Sequence, residues 1–186
     1  MRNQLINKIQ ELLANKKEGP IFAVIDGPAG AGKTTLANEI ISACEIGEVI
    51  HCDDLYNGWE DALTSTFKKN LEEWILTPLR TKRFPRYQKF DWVTGVYASA
   101  INVPESPLLI LEGVGAAIAS VTEVADLSIW IDIPAEIGLH RVLARDGDEI
   151  RDQMKRWLKV QEEFFAQHNN RQNCAYQLPF GEPHQK

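Results

Sequence analysis

The sequence predicts an α/β fold: a parallel five-stranded sheet flanked by helices, with a helical lid. Three observations predict it. Short apolar runs of strand length alternate with segments of helical periodicity, the pattern that builds a parallel sheet through crossover helices. The first such run, Ile21-Phe22-Ala23-Val24-Ile25, passes through a glycine-rich loop into a segment whose apolar residues, Leu36, Ala37, Ile40 and Ile41, recur at helical spacing. Acidic residues close two of the later runs, at the strand ends where open α/β sheets gather their ligands.

Composition narrows the class. A length of 186 residues suits one domain with a sizeable core, and no repeat or linker divides residues 1–186. Apolar residues make up 44% and charged residues 25%, a globular balance that argues against disorder. No apolar run approaches the ~20 residues of a membrane span. Met1-Arg2-Asn3-Gln4 leads into a mixed helix, not the apolar stretch of a signal peptide. Cys44, Cys52 and Cys174 lie far apart without metal-ligand spacing, as expected of a reduced, cytoplasmic protein. A formal net charge of −6 argues against nonspecific nucleic-acid binding, although basic residues cluster at Arg80–Lys89 and Arg141–Lys159.

In order, Leu5, Ile9, Leu12 and Leu13 predict an amphipathic helix over 3–16, stopped by Gly19-Pro20. It packs beside the sheet or, on the alternative reading, against another copy in a homo-oligomer. Gly27-Pro28-Ala29-Gly30-Ala31-Gly32-Lys33-Thr34 then fits G-x-x-x-x-G-K-[ST] at every fixed position, between a strand and a helix as this motif requires. It is a phosphate-binding loop. Its backbone N–H groups, with Thr35 beginning the helix, are expected to cradle the phosphates of ATP at the positive helix end. Lys33 is expected to reach the β- and γ-phosphates, and the Thr34 hydroxyl to bind Mg²⁺.

A second strand, Glu48–Cys52, ends in Asp53-Asp54-Leu55-Tyr56. Transfer to a hydroxyl needs a carboxylate that orients the hydroxyl and takes its proton. Strand alternation would send the two acids apart. Asp53 is assigned as base and metal contact and Asp54 as structural or an outer metal contact; the reverse order, or two surface acids, stays open. Residues 60–82 predict a long helix kinked or broken at Pro78. Residues 83–106 show no periodicity and read as an irregular, aromatic and basic substrate loop. Glu112 tips the apolar strand Leu108–Gly113, positioned to hold Mg²⁺ directly or through water, with a capping or loop carboxylate as the alternative. The strand Leu127–Pro134 precedes a helix from His140 to Arg145 and a longer one from Arg151 to His168, and Cys174–Leu178 forms a last strand. Arg141 and Arg145 share a helix face, and with Arg151 they sit where a lid would stabilise a transferring phosphoryl group. Trp157, Phe164 and Phe165 read as packing.

The order of these motifs, with Asp53-x-x-Tyr56, Phe90-Asp91-Trp92, Leu111-Glu112-Gly113 and Arg145-Asp146, resembles uridine kinases. It is also similar to the wider group of phosphoribulokinase-like and pantothenate kinase-like P-loop kinases, over about residues 20–178. The resemblance implies that Asp53 is catalytic, that Tyr56 lies on the substrate side, and that Phe90-Asp91-Trp92 lines a nucleoside pocket, Phe replacing the usual Tyr. It makes Arg141, Arg145 and Arg151 lid arginines. The Asp-His-Pro-x-Ala-Phe-Asp stretch of uridine kinases is replaced by Asn57-Gly58-Trp59-Glu60-Asp61-Ala62-Leu63, and the arginine-glycine usual after the lid Arg-Asp is missing. The expected activity is transfer of the γ-phosphoryl of ATP to a small-molecule hydroxyl, a nucleoside favoured. Pantothenate, a sugar or a nucleoside monophosphate stay open, the last because Arg80, Lys82, Arg83, Arg86 and Lys89 could meet a second phosphate. A GTPase switch would need Asn-Lys-x-Asp after the loop, and the Asn-Lys pairs here, Asn7-Lys8 and Asn15-Lys16, both precede it. A non-catalytic ATP-binding regulator is the remaining alternative.

Overall fold

The computed structural model describes residues 1–181; the last five residues of the expected 1–186 domain lie outside the described residues. The chain runs α1 (Arg2–Asn15), β1 (Ile21–Asp26), α2 (Lys33–Cys44), β2 (Glu48–His51), α3 (Cys52–Leu55), α4 (Ser65–Asn70), a π-helical turn (Leu71–Leu76) and α5 (Thr77–Arg80). It continues through β3 (Arg86–Asp91), β4 (Val96–Asn102), β5 (Leu108–Glu112), α6 (Ala119–Thr122), β6 (Leu127–Ile131) and α7 (Ala135–Asp146). A 3₁₀ turn (Asp148–Ile150), α8 (Arg151–His168), α9 (Asn170–Asn173) and β7 (Tyr176–Leu178) complete it.

The main sheet has five parallel strands in the order β2-β5-β1-β6-β7. The central strands β1, β5 and β6 are buried along their whole length, hence their unbroken apolar runs. Successive side chains point to opposite faces, so each strand feeds two cores. Ile21, Ala23, Ile25, Leu108, Ile110 and Ile129 pack with Leu5 and Ile9 of α1 and Leu36 and Ile40 of α2. Phe22, Val24, Leu109, Leu111 and Trp130 pack with Phe67, Leu71, Trp157 and Phe164 on the other face. The amino-terminal helix thus packs beside the sheet. Among the described residues no helix is long and apolar enough to cross a membrane.

Two expectations are corrected. The predicted long helix over 60–82 begins only at Ser65: Asp61 accepts from Asn57 Nδ2 at 3.0 Å and from the Thr64 hydroxyl, and Thr64 caps α4 by accepting from Thr66 N at 3.1 Å. Helical structure runs on through Pro78 to Arg80. A regular helix would set its ring against the Trp74 carbonyl, but the π turn just before it, closed by Thr77 N to Glu72 O, opens the ladder there.

The segment 83–106 is not an irregular loop but an antiparallel hairpin, β3 with β4. Its period of two is hidden because the register shifts between Gln88 and Phe90, a bulge that puts two residues opposite one. Tyr87 and Phe90 are the buried residues of β3, while β4 is half-buried or exposed throughout, so little apolar pattern is required.

Candidate active site

Because the sheet is parallel, every strand delivers its carboxyl end to one edge, and a cavity of about 750 Å³ opens there. The loop after β1, α3 after β2, Glu112 at the tip of β5, Asp132 after β6 and Leu178 at the tip of β7 all line it.

The phosphate loop forms its floor. Gly30 has φ 77° and Gly32 φ 91°, left-handed conformations that favour glycine. A Cβ on Gly30 would strike the Gly138 carbonyl, and one on Gly138 would come within 2.5 Å of the Ala29 carbonyl. Two glycines therefore let α7 rest directly on the loop. Ala29 to Thr35 line the cavity, whereas Gly27 and Pro28 lie beneath it, their carbonyls accepting from Lys33 Nζ at 2.8 and 3.0 Å.

At the loop entrance stands a residue that motif reasoning missed. Asp26 is fully buried, and its carboxylate accepts from Gly27 N (2.6 Å), Gly115 N (3.0 Å), Ala117 N (2.8 Å) and Asn170 Nδ2 (2.8 Å). Burial pushes its pKa up, opposed by those bonds and by the charge of Lys33. The signal existed: like Glu112, it is an acid closing an apolar strand.

Glu112 lies beside Thr34 and His51. Its Oε1 accepts from Thr34 Oγ1 at 2.8 Å and lies 2.5 Å from His51 Nδ1, which the β2–β5 register sets directly opposite it. Burial raises the Glu112 carboxyl, but the His51 bond, the Lys33 charge and the Thr34 hydroxyl carry it below its ordinary value. The same bond raises the His51 pKa.

Asp53 and Asp54 sit in the short helix α3, not on an extended strand end, so the helical rotation of about 100° per residue separates them. Asp53 lines the cavity; desolvation raises its pKa, Lys33 lowers it and Glu112 raises it again, with a net upward shift. Asp54 is buried beneath the hairpin, 3.1 Å from Lys89 Nζ and accepting from Tyr87 at 3.5 Å.

Four aromatic rings continue the cavity beyond Asp53. Tyr56, Trp59, Trp92 and Trp157 line it, with ring centroids 5.3 Å apart for Trp59–Trp92, 5.7 Å for Trp59–Trp157 and 5.6 Å for Tyr56–Trp157. Trp92 Nε1 donates to the Asp53 carbonyl at 3.3 Å, which ties this wall to the carboxylate. Trp59 had no motif to announce it. Of its expected partners, Phe90 is buried behind Trp92, and the Asp91 carboxylate accepts from Val93 N and Thr94 N to hold the hairpin turn; neither lines the cavity. Arg86 pairs with Asn102 at the open end of the hairpin, about 16 Å of strand from that turn.

At the opposite end, Arg141 donates to the Gly30 carbonyl at 3.2 Å and its guanidinium lies 5.8 Å from the Phe180 ring centroid. Arg2 also borders the cavity, 2.6 Å from Glu39 of α2. Arg145 reaches the cavity and holds Asp146 through two bonds of 2.6 Å. Arg151 does not: it starts α8 on the far side of the 3₁₀ turn and pairs with Asp148.

No protein-family model matches the chain. A uridine kinase from Ureaplasma parvum serovar 3 is 30% identical over 148 residues, which are 71% of this chain and 72% of that protein. The chain belongs to the uridine kinase family. It is a P-loop kinase, and its fold agrees with solved kinases of low sequence identity. A Bacillus stearothermophilus protein described as a possible uridine kinase superposes with a TM-score of 0.63 at 16% identity, covering 95% of this chain and 98% of that one. Shikimate kinase from Acinetobacter baumannii superposes at 0.51 with 14% identity, covering 94% and 89%.

Proposed function

We propose that this uridine kinase family member transfers the γ-phosphoryl group of ATP to a hydroxyl of an uncharged, flat small molecule of the nucleoside kind. The observation that carries the proposal is continuity: one cavity runs from the phosphate loop, past Asp53, to the aromatic wall. ATP would lie with its phosphates on Ala29–Thr35 and its base toward Arg141 and Phe180. Asp53 would take the acceptor's proton as the new O–P bond forms and the bond to the departing ADP breaks. Arg141 and Arg145 would meet the charge on the transferring group. The helices α7 and α8 would serve as the lid that excludes water.

The donor set fits Mg²⁺. Thr34 and Glu112 offer hard oxygens in hydrogen-bond contact, with Asp53 near by. Among the described residues no three His, Cys, Asp or Glu groups form a metal cage, which suits an ion that takes most of its ligands from phosphates and water. When bound, Mg²⁺ would neutralise charge between the β- and γ-phosphates.

An uncharged acceptor is favoured over a nucleoside monophosphate because the basic run meets other partners. Arg80 pairs with Glu72, Lys82 with Glu18 and Lys89 with Asp54, and none of them lines the cavity. The Ureaplasma relative's name supports a nucleoside. The test is ADP release from Mg-ATP across nucleosides, nucleotides, sugars and pantothenate. Nucleosides should give the highest kcat/KM. Release confined to another class would replace the acceptor, and release with none would favour an ATP-binding regulator.

A further inference from the structure

The phosphate loop divides in two by what its N–H groups touch. At its entrance they are used within the protein. Gly27 N donates to Asp26, which Asn170 of α9 holds in turn, and Pro28 has no N–H to give. Ala29 N donates to Gln161 Oε1 at 3.1 Å. Further on, the N–H groups of Gly30 and Gly32 have no partner among the described residues, and those of Lys33, Thr34 and Thr35 begin α2. Gln161 belongs to α8, is 5% exposed and lies outside the cavity. Trp157 and Met154, one and two turns earlier on the same helix face, do line it. On its other side Ala29 meets α7, where its carbonyl oxygen leaves no room for a Cβ on Gly138. One loop residue is thus gripped by both lid helices.

We infer that Gln161 is a positioning residue for ATP: by holding Ala29 N it fixes the entrance of the phosphate loop against α8 before the nucleotide arrives. The inference rests on the ATP half of the kinase reading and leaves the acceptor open. Two effects compete when this side chain is removed. The freed Ala29 N–H would be one more donor for the phosphates, which favours binding. The loop would also lose the contact that orders it, and ATP would then have to bear the cost of ordering it. The second effect wins, because loop N–H groups hold an anion only as a set whose directions converge. A donor gained at Ala29 does not offset a loop that no longer aims its neighbours.

Amide exchange followed by NMR on the nucleotide-free protein tests the contact itself. The Ala29 N–H should exchange about tenfold or more slowly than that of Gly30, and comparable rates would overturn the inference without any variant. Gln161→Met keeps the length of the side chain and loses its acceptor. It should raise the Kd for a non-hydrolysable ATP analogue, and the KM for ATP, by about tenfold. Its kcat and its KM for uridine should stay within about threefold of the parent. Gln161→Glu returns an oxygen acceptor and should restore the slow Ala29 exchange that Gln161→Met loses. A lower melting temperature for Gln161→Met with unchanged analogue binding would make Gln161 structural and overturn the inference. Tighter analogue binding, or equal losses toward ATP and uridine, would overturn it as well. A parent that binds the analogue but turns over no nucleoside would overturn the acceptor assignment alone, since the exchange and binding measurements need no acceptor and still decide on Gln161.

Discussion

Asp53 opens onto the cavity, while Asp54 is covered by the hairpin and tied to Lys89 and Tyr87. If Asp53 takes the acceptor's proton, Asp53→Asn lowers kcat by roughly 10²–10⁴ with folding and ATP affinity retained. Asp54→Asn should instead lower the melting temperature and cost little in kcat; steady-state kinetics with a thermal melt separates the two. A larger kcat loss for Asp54→Asn would move the base by one residue. Asp26 works differently, by gathering backbone N–H groups from the phosphate loop and the 113–117 loop. Asp26→Ala leaves those donors and Asn170 without their acceptor inside the core, a cost of about 3 kcal/mol or more. Urea denaturation measures it, and a variant as stable as the parent would rule the clamp out.

At the scale of elements, the contact of α7 with the phosphate loop sets two effects against each other. Alanine is favoured over glycine within a helix by about 1 kcal/mol, so propensity alone would have Gly138→Ala stabilise α7. Packing opposes it, because the added Cβ lies 2.5 Å from the Ala29 carbonyl and both partners are backbone. Overpacking of this kind costs about 1–3 kcal/mol, so packing should win. The expected result is a lower melting temperature together with a raised KM for ATP, since α7 can yield only by moving off the loop. A stabilised variant with normal KM would show that the two backbones separate freely. The hairpin belongs to this scale as well. Its bulge and its exposed outer face conceal it from periodicity, yet it carries Trp92 to the cavity and covers Asp54.

Over the whole molecule, acid stability follows from carboxylates of opposite sign. Asp132 is held below its ordinary pKa by Arg171 and Trp130, Asp61 by Thr64 and Asn57, and Asp146 by Arg145. Each contributes stability above the unfolded pKa of about 4 and loses it as pH falls through the folded value. Asp26 and Asp53 are raised, so the folded state binds their protons more readily and they soften the same acid limb. Asp132 and Arg171 are part-exposed, which limits their pair to about 1 kcal/mol or less. Asp132→Asn should therefore be slightly less stable than the parent at pH 7, with a smaller difference at an acid pH below about 4. Urea midpoints at the two pH values decide this; a constant difference would mean that Asp132 acts through shape and not charge.

Local signals in the sequence were sufficient for the parallel sheet, the phosphate loop and the long helix Arg151–His168, because each rests on periodicity or on a motif whose parts are contiguous. They gave only the second half, His140 to Arg145, of the helix Ala135–Asp146. They were sufficient also to bring Lys33, Thr34, Asp53 and Glu112 forward as one group, since parallel strands must deliver their carboxyl ends to a common edge. Only the tertiary structure decided which side chains share the cavity. Arg86 and Arg151 carry the right charge but sit at the far ends of their elements, while Arg2, Trp59 and Gly138 belong to no motif and reach the cavity or its floor through packing alone. The hydrogen bonds of Asp61, Asp146 and Gln161 were equally out of reach, because a polar residue's partner is fixed by the fold and its type alone says nothing of whether a ligand can still use it.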